Sequence, residues 1–317
     1  MEIKLYEDWM KPQVTKLFSM QYERPEEEVA VTMENFYEHP FQKDKCIRIV
    51  SMDGDKVTGF QSLFYWPYQK NGQVYNSFQS GNSLVHPDYR GKGIFQKLLN
   101  YLDEYNKDLK IDFLMGFPVQ MSYGSFMKNK WANPLNIVWH VKFLNPFAFL
   151  FSVDGVISKF DKQMKPVDQK IPANSYRLAK DAAFEKWINA SRDQQPYCFF
   201  HYSEGQNAIS FSLKTNKRSR WFNELIIGDI RTNSSDEVFI KKAFSKLSRK
   251  AFASLRVTAL TIALNEDSAL PVFSVIKSMG YVSTKKSIYF ITKSYGNNKD
   301  IEDKQCWVLY RSDVDTW

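Results

Sequence analysis

The run Val85-His86-Pro87-Asp88-Tyr89-Arg90-Gly91-Lys92-Gly93-Ile94-Phe95 joins an extended apolar segment to an amphipathic one, and its residue types suit the binding of a polyphosphate. Successive main-chain N–H groups at a strand-to-helix turn form a concave nest, and a helix N-terminus adds partial positive charge. Glycine serves such a nest twice, because it permits positive φ and because, without Cβ, it lets phosphate oxygens approach the amide nitrogens closely. Arg90 and Lys92 add formal charge. The run is not a Walker A motif, which needs Gly-Lys-Ser/Thr where Gly91-Lys92-Gly93 stands. Nor is it a dinucleotide fingerprint, whose third glycine and downstream ribose-binding acid are missing. Read alone, it is also compatible with a simple surface turn, and the elements around it must decide.

Those elements agree with a cofactor loop. Ile94 to Leu109 places Ile94, Leu98, Tyr101, Leu102 and Tyr105 on one helical face, and Ile111 to Phe117 is a short apolar strand at a suitable distance. With these in place, the loop resembles the acyl-CoA signature of the GNAT superfamily of N-acyltransferases, written Q/R-x-x-G-x-G/A. Arg90 stands first and Gly93 in the middle, while Phe95 departs from the usual Gly or Ala at the end. The resemblance implies that acetyl-CoA is the cofactor, held by Arg90, Gly91, Lys92, Gly93, Ile94 and Phe95. It also implies that the strand before the loop splays from the Ile111–Phe117 strand. Pantetheine amides would then pair with the backbone at Leu84 and Val85 as an added strand, and the N–H of Ser83 would be the oxyanion donor.

Acyl transfer to an amine also needs proton traffic. The attacking ammonium must lose a proton, and the leaving thiolate, with a reference pKa of about 8.5, must gain one or be tolerated. Where many relatives carry a glutamate base, this chain has Gln79, and no carboxylate occurs from Gln73 to Val85. The family's leaving-group tyrosine falls on Phe126, with Val119 and Ser122 at the Asn and Ala positions that precede it. Tyr123, one helical turn earlier, is the best substitute as acid, with core packing as its competing role. His140 and the pair Glu38-His39 are further candidates.

Around these segments, Asp8 to Tyr22 and Glu26 to Tyr37 read as helices, and Cys46 to Val50 leads through Asp53-Gly54-Asp55 into Val57 to Trp66 as a hairpin. Asn71-Gly72 repeats the turn chemistry, and Gln73 to Val85 reads as one long strand. Ser122 to Asn129 is a brief helix and Ile137 to Phe143 a strand. Residues 144–170 form an irregular connection whose phenylalanine patch should dock on a domain surface. Beyond it come a strand at 224–229, a helix at 236–253, a strand at 257–263, a helix at 271–279, a strand at 286–292 and a last strand at 306–311. The expectation is an α/β fold with mixed sheets, in two GNAT-like domains: residues 1–145 with the cofactor loop, a linker at 146–170, and a degenerate copy at 171–317. That second half lacks the glycine loop, and Ile276 holds its tyrosine position. Its Ser312-Asp313-Val314-Asp315 reads as an exposed acidic tail, with the supply of carboxylates to a cleft as the alternative.

Composition bounds the partners. With 44% hydrophobic and 25% charged residues over 317 positions, the chain reads as globular, and it lacks the roughly 20 apolar residues in a row that a spanning helix needs. The first residues do not resemble a secretory signal. Cys46, Cys198 and Cys306 form no CxxC pair and no metal-ligand spacing. The expectation is therefore a cytoplasmic protein with reduced thiols, no metal and no membrane partner. A formal charge of +8 favours an anionic partner, such as a nucleotide cofactor; nucleic acid is disfavoured by the intact loop. The leading reading is an acetyl-CoA-dependent N-acetyltransferase acting on a primary amine of a small molecule. An amino sugar is suggested by Phe64-Tyr65-Trp66-Pro67-Tyr68, whose rings could stack on it. The alternatives are a tRNA-dependent aminoacyl transferase of the peptidoglycan-bridging kind and a non-catalytic CoA-binding module.

Overall fold

The computed structural model describes residues 1–150, 158–170, 172–191, 197–253, 257–268, 270–296 and 298–315. The chain divides into two compact units. The first comprises Met1–Pro134, Leu178–Asp193 and Tyr289–Asp303; the second comprises Leu135–Arg177, Gln194–Ile288 and Lys304–Trp317. Neither unit is continuous in sequence, so boundaries near residues 145 and 170 do not coincide with the limits of these units. Residues 151–157 of the expected linker lie outside the described residues.

In the first unit, β1 (Glu2–Leu5), β2 (Ile47–Asp53), β3 (Lys56–Tyr65), β6 (Ser77–Val85), β7 (Phe113–Gly116) and the end of β14 (Val282–Ser294) lie side by side in that order. Strands β4 (Tyr68–Lys70) and β5 (Gln73–Val74) form a hairpin in a separate small sheet, whose third strand is the two-residue β9 (Arg177–Leu178). The hairpin turn has both Asn71 (φ 50°) and Gly72 (φ 79°) left-handed, as a two-residue hairpin requires. The single long strand expected from Gln73 to Val85 is thus broken after Val74. The cause is local: the Ser77 hydroxyl donates to the Trp66 carbonyl at 2.8 Å and accepts from the Tyr68 N–H at 3.0 Å, which turns the chain between the two strands.

Alternation along the strands assigns the two faces. Val50, Phe60 and Leu84 face α1 (Lys11–Tyr22) and α2 (Glu26–Tyr37), which contribute Val14, Leu17, Val29 and Met33 to one core. Ile49, Leu63 and Phe78 face α3 (Ile94–Leu109) and α4 (Gln120–Lys128), which contribute Ile94, Leu98, Leu102 and Phe126 to the other. Full burial of each such aliphatic side chain is worth about 1.5–3 kcal/mol. Helix α2 begins directly after Pro25 with Glu26, Glu27 and Glu28 in its first turn, charges that suit the positive end of its dipole. Gly59 on β3 is there for close approach, because a Cβ would meet Ile94 Cγ2 at 2.8 Å.

The second unit is ordered β8 (Ala132–Phe143), β13 (Ala259–Leu264), β12 (Phe222–Thr232), β11 (Asn207–Ser219) and β10 (Tyr197–Glu204). Its core is built by α6 (Glu237–Ala253) and α7 (Val272–Ser278), numbered after α5 (Ala182–Ser191), which belongs to the first unit. Within it, Cys198 is 1% exposed, and burial pushes its thiol up to about 12. At pH 8 only on the order of 10⁻⁴ of it is thiolate, so Cys198 should resist Ellman's reagent in the native protein and react promptly after unfolding in guanidinium. Rapid native labelling at Cys198 would contradict the packing. The expected strand at 306–311 is instead a pair of 3-10 turns joined by isolated bridges, Tyr176 to Trp307 and Leu264 to Tyr310. The expected acidic tail is not exposed at its start, since Asp313 is 2% exposed and accepts from the Tyr310 N–H at 2.7 Å. No helix among the described residues is long and apolar enough to cross a membrane.

Candidate active site

The loop expected to hold the cofactor is assembled from β6, a 3-10 turn at Pro87–Tyr89, residues 90–93 and the start of α3. Gly91 (φ 76°) and Gly93 (φ 72°) both sit in the left-handed region, and an added Cβ at either would meet nothing within 4 Å. The glycines are therefore required by backbone conformation, with open space in front of them. Gly93 is the N-cap of α3 and offers no side-chain cap, and no acidic residue occupies the first turn. The leading N–H groups of a 16-residue helix thus carry their partial positive charge uncapped by a side chain, which is the arrangement that holds an anion.

Charge surrounds this helix end. Arg90 is tied back, donating to the Val85 carbonyl at 3.3 Å and to Gln21 Oε1 at 2.8 Å. Lys92 Nζ lies 4.4 Å from the centre of the Tyr89 ring and Lys56 Nζ lies 5.1 Å from it, while the Tyr89 hydroxyl donates to Asp53 at 2.9 Å. Ile94 is buried and Phe95 meets Phe126 edge-on at 5.2 Å. What Ile94 and Phe95 present to a ligand is main chain. Phe95, where the motif usually has Gly or Ala, is accommodated by that contact with Phe126.

Strand β6 has two distinct halves. Its parallel ladder with β7 runs from Ser77–Phe113 to Ser80–Gly116. Beyond Ser80 its described pairing is with β3 alone, and there the register shifts: Phe60 faces Leu84 and Ser62 faces Gly81, so that Gln61 stands opposite both Asn82 and Ser83. This is a β-bulge, with Asn82 left-handed at φ 51°. Gln61 braces it, its Nε2 donating to the Ser80 hydroxyl at 3.0 Å and the Gly81 carbonyl at 3.2 Å, while its Oε1 accepts from the Ser83 hydroxyl. The Ser83 hydroxyl is thus engaged within the bulge. Leu84 points into the α1–α2 core and Val85 packs toward α3.

Gln79 is 1% exposed, and its Oε1 has no hydrogen-bond partner. It is a buried acceptor with spare capacity, and an amide cannot take a proton. Phe126 is core, wedged between Phe95 and Trp131 (4.9 Å). Tyr123 is half-buried, its ring stacked on Tyr289 at 4.4 Å and 28°, and its hydroxyl donates to Asn133 Oδ1 at 3.2 Å. Its helix is secured at the far end by Lys293, which donates to the Asn129 carbonyl at 2.8 Å and pairs with Asp103 of α3. Burial lowers the Lys293 pKa, and the Asp103 contact works against that shift. Neither Tyr289 nor Lys293 was legible as a site residue, because both come from a strand about 170 residues further along the chain. Of the further candidates, His140 belongs to the second unit, where it meets Glu266 Oε1 at 2.9 Å, Glu38 pairs with Arg48 at 2.8 Å, and His39 Nδ1 accepts from the Phe41 N–H at 3.2 Å. Trp66 and Tyr68 are fully buried and Tyr65 is half-buried, so the Trp66 and Tyr68 rings present no face on which a sugar could stack.

The second unit repeats the frame without the nest. Strands β12 and β13 share a four-pair parallel ladder, Glu224–Ala259 to Ile227–Ile262, and a bulge follows immediately at Gly228. Here, however, Asp236 caps the next helix, accepting from the Val238 N–H at 2.8 Å, and Glu237 stands in its first turn. Two carboxylates at that helix end repel an anion. The edge of β12 past the ladder is met by Arg177, which donates to Asp229 at 2.9 Å and to the Ile230 carbonyl at 3.1 Å, and the end of β13 is met by Tyr310. Among the described residues, no group of three or more His, Cys, Asp or Glu side chains is placed to hold a metal ion.

Comparison with known proteins agrees with this geometry. The family model for the GNAT acetyltransferase domain matches residues 2–127. The structure superposes on a GCN5-related N-acetyltransferase from Anabaena variabilis with a TM-score of 0.63 and 13% identity, over 93% of this chain and 73% of that one. A tandem GNAT protein from the clavulanic acid biosynthesis pathway gives 0.50 and 14%, over 94% and 100%. The N-myristoyltransferase of Saccharomyces cerevisiae with bound myristoyl-CoA gives 0.50 and 11%, over 100% and 84%. At such identities the likeness is one of fold. No curated protein sequence matches the chain.

Proposed function

We propose that this protein is an N-acetyltransferase that moves an acetyl group from acetyl-CoA to the primary amine of a small molecule, a reading supported by the match of residues 2–127 to the GNAT acetyltransferase domain model and by a mixed α/β fold like that of GNAT proteins. The observation that carries the reading is the uncapped N-terminus of α3 behind two left-handed glycines, directly after a strand that leaves its neighbour at Ser80 and bulges at Asn82. The myristoyltransferase of the same fold holds an acyl-CoA.

Acetyl-CoA supplies an activated thioester carbonyl. The loop N–H groups, with Arg90 and Lys92, hold its phosphates, and the free edge at Leu84 and Val85 pairs with its pantetheine amides. The Ser83 N–H stabilises the negative charge that develops on the carbonyl oxygen as the amine attacks. The C–N bond forms as the C–S bond breaks; Tyr123 donates a proton to the departing sulfur and is reprotonated, through solvent, by the proton that the nitrogen sheds as it becomes an amide. Gln79 can accept a hydrogen bond from the amine but cannot remove its proton, so the ammonium loses that proton to water before attack. Net, an ammonium and a thioester give an amide, a thiol and one proton.

Incubation with acetyl-CoA and a panel of primary amines, read by thiol release and by mass spectrometry of the acetylated product, tests the reading. Acetylated amine above the enzyme-free background supports it. Unchanged amines across the panel, with aminoacyl-tRNA consumed in a parallel assay, would replace it with tRNA-dependent transfer. Given an active acceptor, Tyr123→Phe should lower kcat roughly a hundredfold, the lower end of what a positioned acid contributes, with the Kd of CoA unchanged. Full retention of kcat would reduce Tyr123 to a packing residue.

A further inference from the structure

The bulge in β6 is closed by a ring of hydrogen bonds that passes through helix α2. Asn82 Nδ2 donates to the Tyr37 hydroxyl at 2.6 Å. The Tyr37 hydroxyl and Ser62 Oγ are 3.0 Å apart, and Ser62 Oγ donates to the Gly81 carbonyl at 3.0 Å. Only one proton order satisfies all three contacts. An amide nitrogen donates only, and a carbonyl accepts only, so the phenol accepts from Asn82 and donates to Ser62, which donates to Gly81. The chain of donors therefore starts on one bulge residue and ends on the carbonyl of the residue before it.

We infer that Tyr37 is a positioning residue, which through Asn82 and Ser62 fixes the bulge that aims the Ser83 N–H; the catalytic half of this inference rests on the proposed acyl transfer. Three further observations support it. A non-glycine residue at φ 51° in mid-strand is unfavourable unless its surroundings hold it there, and the amide of Asn82 is the group so held. Tyr37 is itself immobilised, being 1% exposed in the α1–α2 core with its ring edge-on to Phe60 at 6.2 Å. Burial raises the phenol pKa, so it keeps the proton that the ring of donors requires. Gln61 braces the same bulge from across β3, and Tyr37 is the support that comes from a helix. Nothing in the loop motif signals it, since Tyr37 lies 45 positions before Asn82.

Two variants test the inference. Tyr37→Phe removes one oxygen atom from a buried ring, and Asn82→Gly keeps positive φ permitted while removing the tethering amide. Amide hydrogen exchange at residues 82–84 should accelerate at least tenfold in both variants, with residues 77–80 of the same strand unchanged. With acetyl-CoA and an acceptor, kcat should fall about tenfold or more while the Kd of CoA stays within twofold, and the double variant should lose no more than the worse single one. Unchanged exchange at 82–84 would overturn the tether. Accelerated exchange with unchanged kcat would overturn its catalytic role. A wild-type protein that neither binds nor cleaves acetyl-CoA would sink the acyl-transfer reading, and the exchange data would still decide the tether.

Discussion

Gly93→Glu is expected to abolish the stabilisation of this protein by acetyl-CoA. At a free concentration of about 100 times Kd, a ligand that binds only the folded state adds roughly 2.7 kcal/mol, and the wild-type transition should rise by several degrees. In the variant the Cβ projects into space that holds no protein atom within 4 Å, so the carboxylate stands before the open end of α3, where it would occupy and neutralise the proposed anion site. The substitution also forces a side chain into φ 72°, at a cost of roughly 1–2 kcal/mol. Gly93→Ala carries the same backbone penalty without the charge and separates the two effects. The alanine variant should melt lower than wild type yet still respond to acetyl-CoA, whereas the glutamate variant should not respond. An equal shift in all three proteins would place the cofactor elsewhere.

Trp66→Ala is expected to destabilise the first unit by about 3–5 kcal/mol, the range for deleting a buried aromatic side chain. The indole is fully buried and meets Phe64, Phe184 and Trp187 edge-on at 5.5, 5.2 and 5.7 Å. Those partners belong to β3 and to α5, so the loss should loosen the joint between the hairpin end and that helix. Denaturant midpoints would measure it. A change below 1 kcal/mol accompanied by a raised acceptor KM would instead restore Trp66 as a binding surface.

The contrast between these two positions explains what was legible in the sequence. Gly91 and Gly93 were readable because the requirement is local: positive φ at a strand-to-helix turn selects glycine whatever surrounds it. The amphipathic period of α3 was readable for the same reason, and its limits match the expected Ile94–Leu109. Trp66 and Tyr68 were misread because exposure is not a local property, and an aromatic run looks the same in a core as on a binding face. The strand order shows a harder limit. Strand β8 joins the second unit and the end of β14 the first, and each has a strand's period wherever it pairs. Tyr289 and Lys293 were invisible as neighbours of α4 for that reason. The bulge at Asn82 was partly legible, since Asn is among the few residues that tolerate a left-handed backbone. Its tether to Tyr37 spans two elements and needed the structure.

The second unit illustrates how a shared frame can diverge. Its four-pair parallel ladder and following bulge repeat those of the first unit, while Asp236 and Glu237 occupy the helix end that Gly93 leaves open. Arg177 and Tyr310 occupy its strand edges, so the proposal places a single cofactor site among the described residues, at the loop of the first unit.

Isothermal titration of the wild-type protein with acetyl-CoA tests this account most directly. The prediction is saturable binding with one site per chain, lost in Gly93→Glu. Two sites per chain, or no binding heat at any temperature tried, would contradict it.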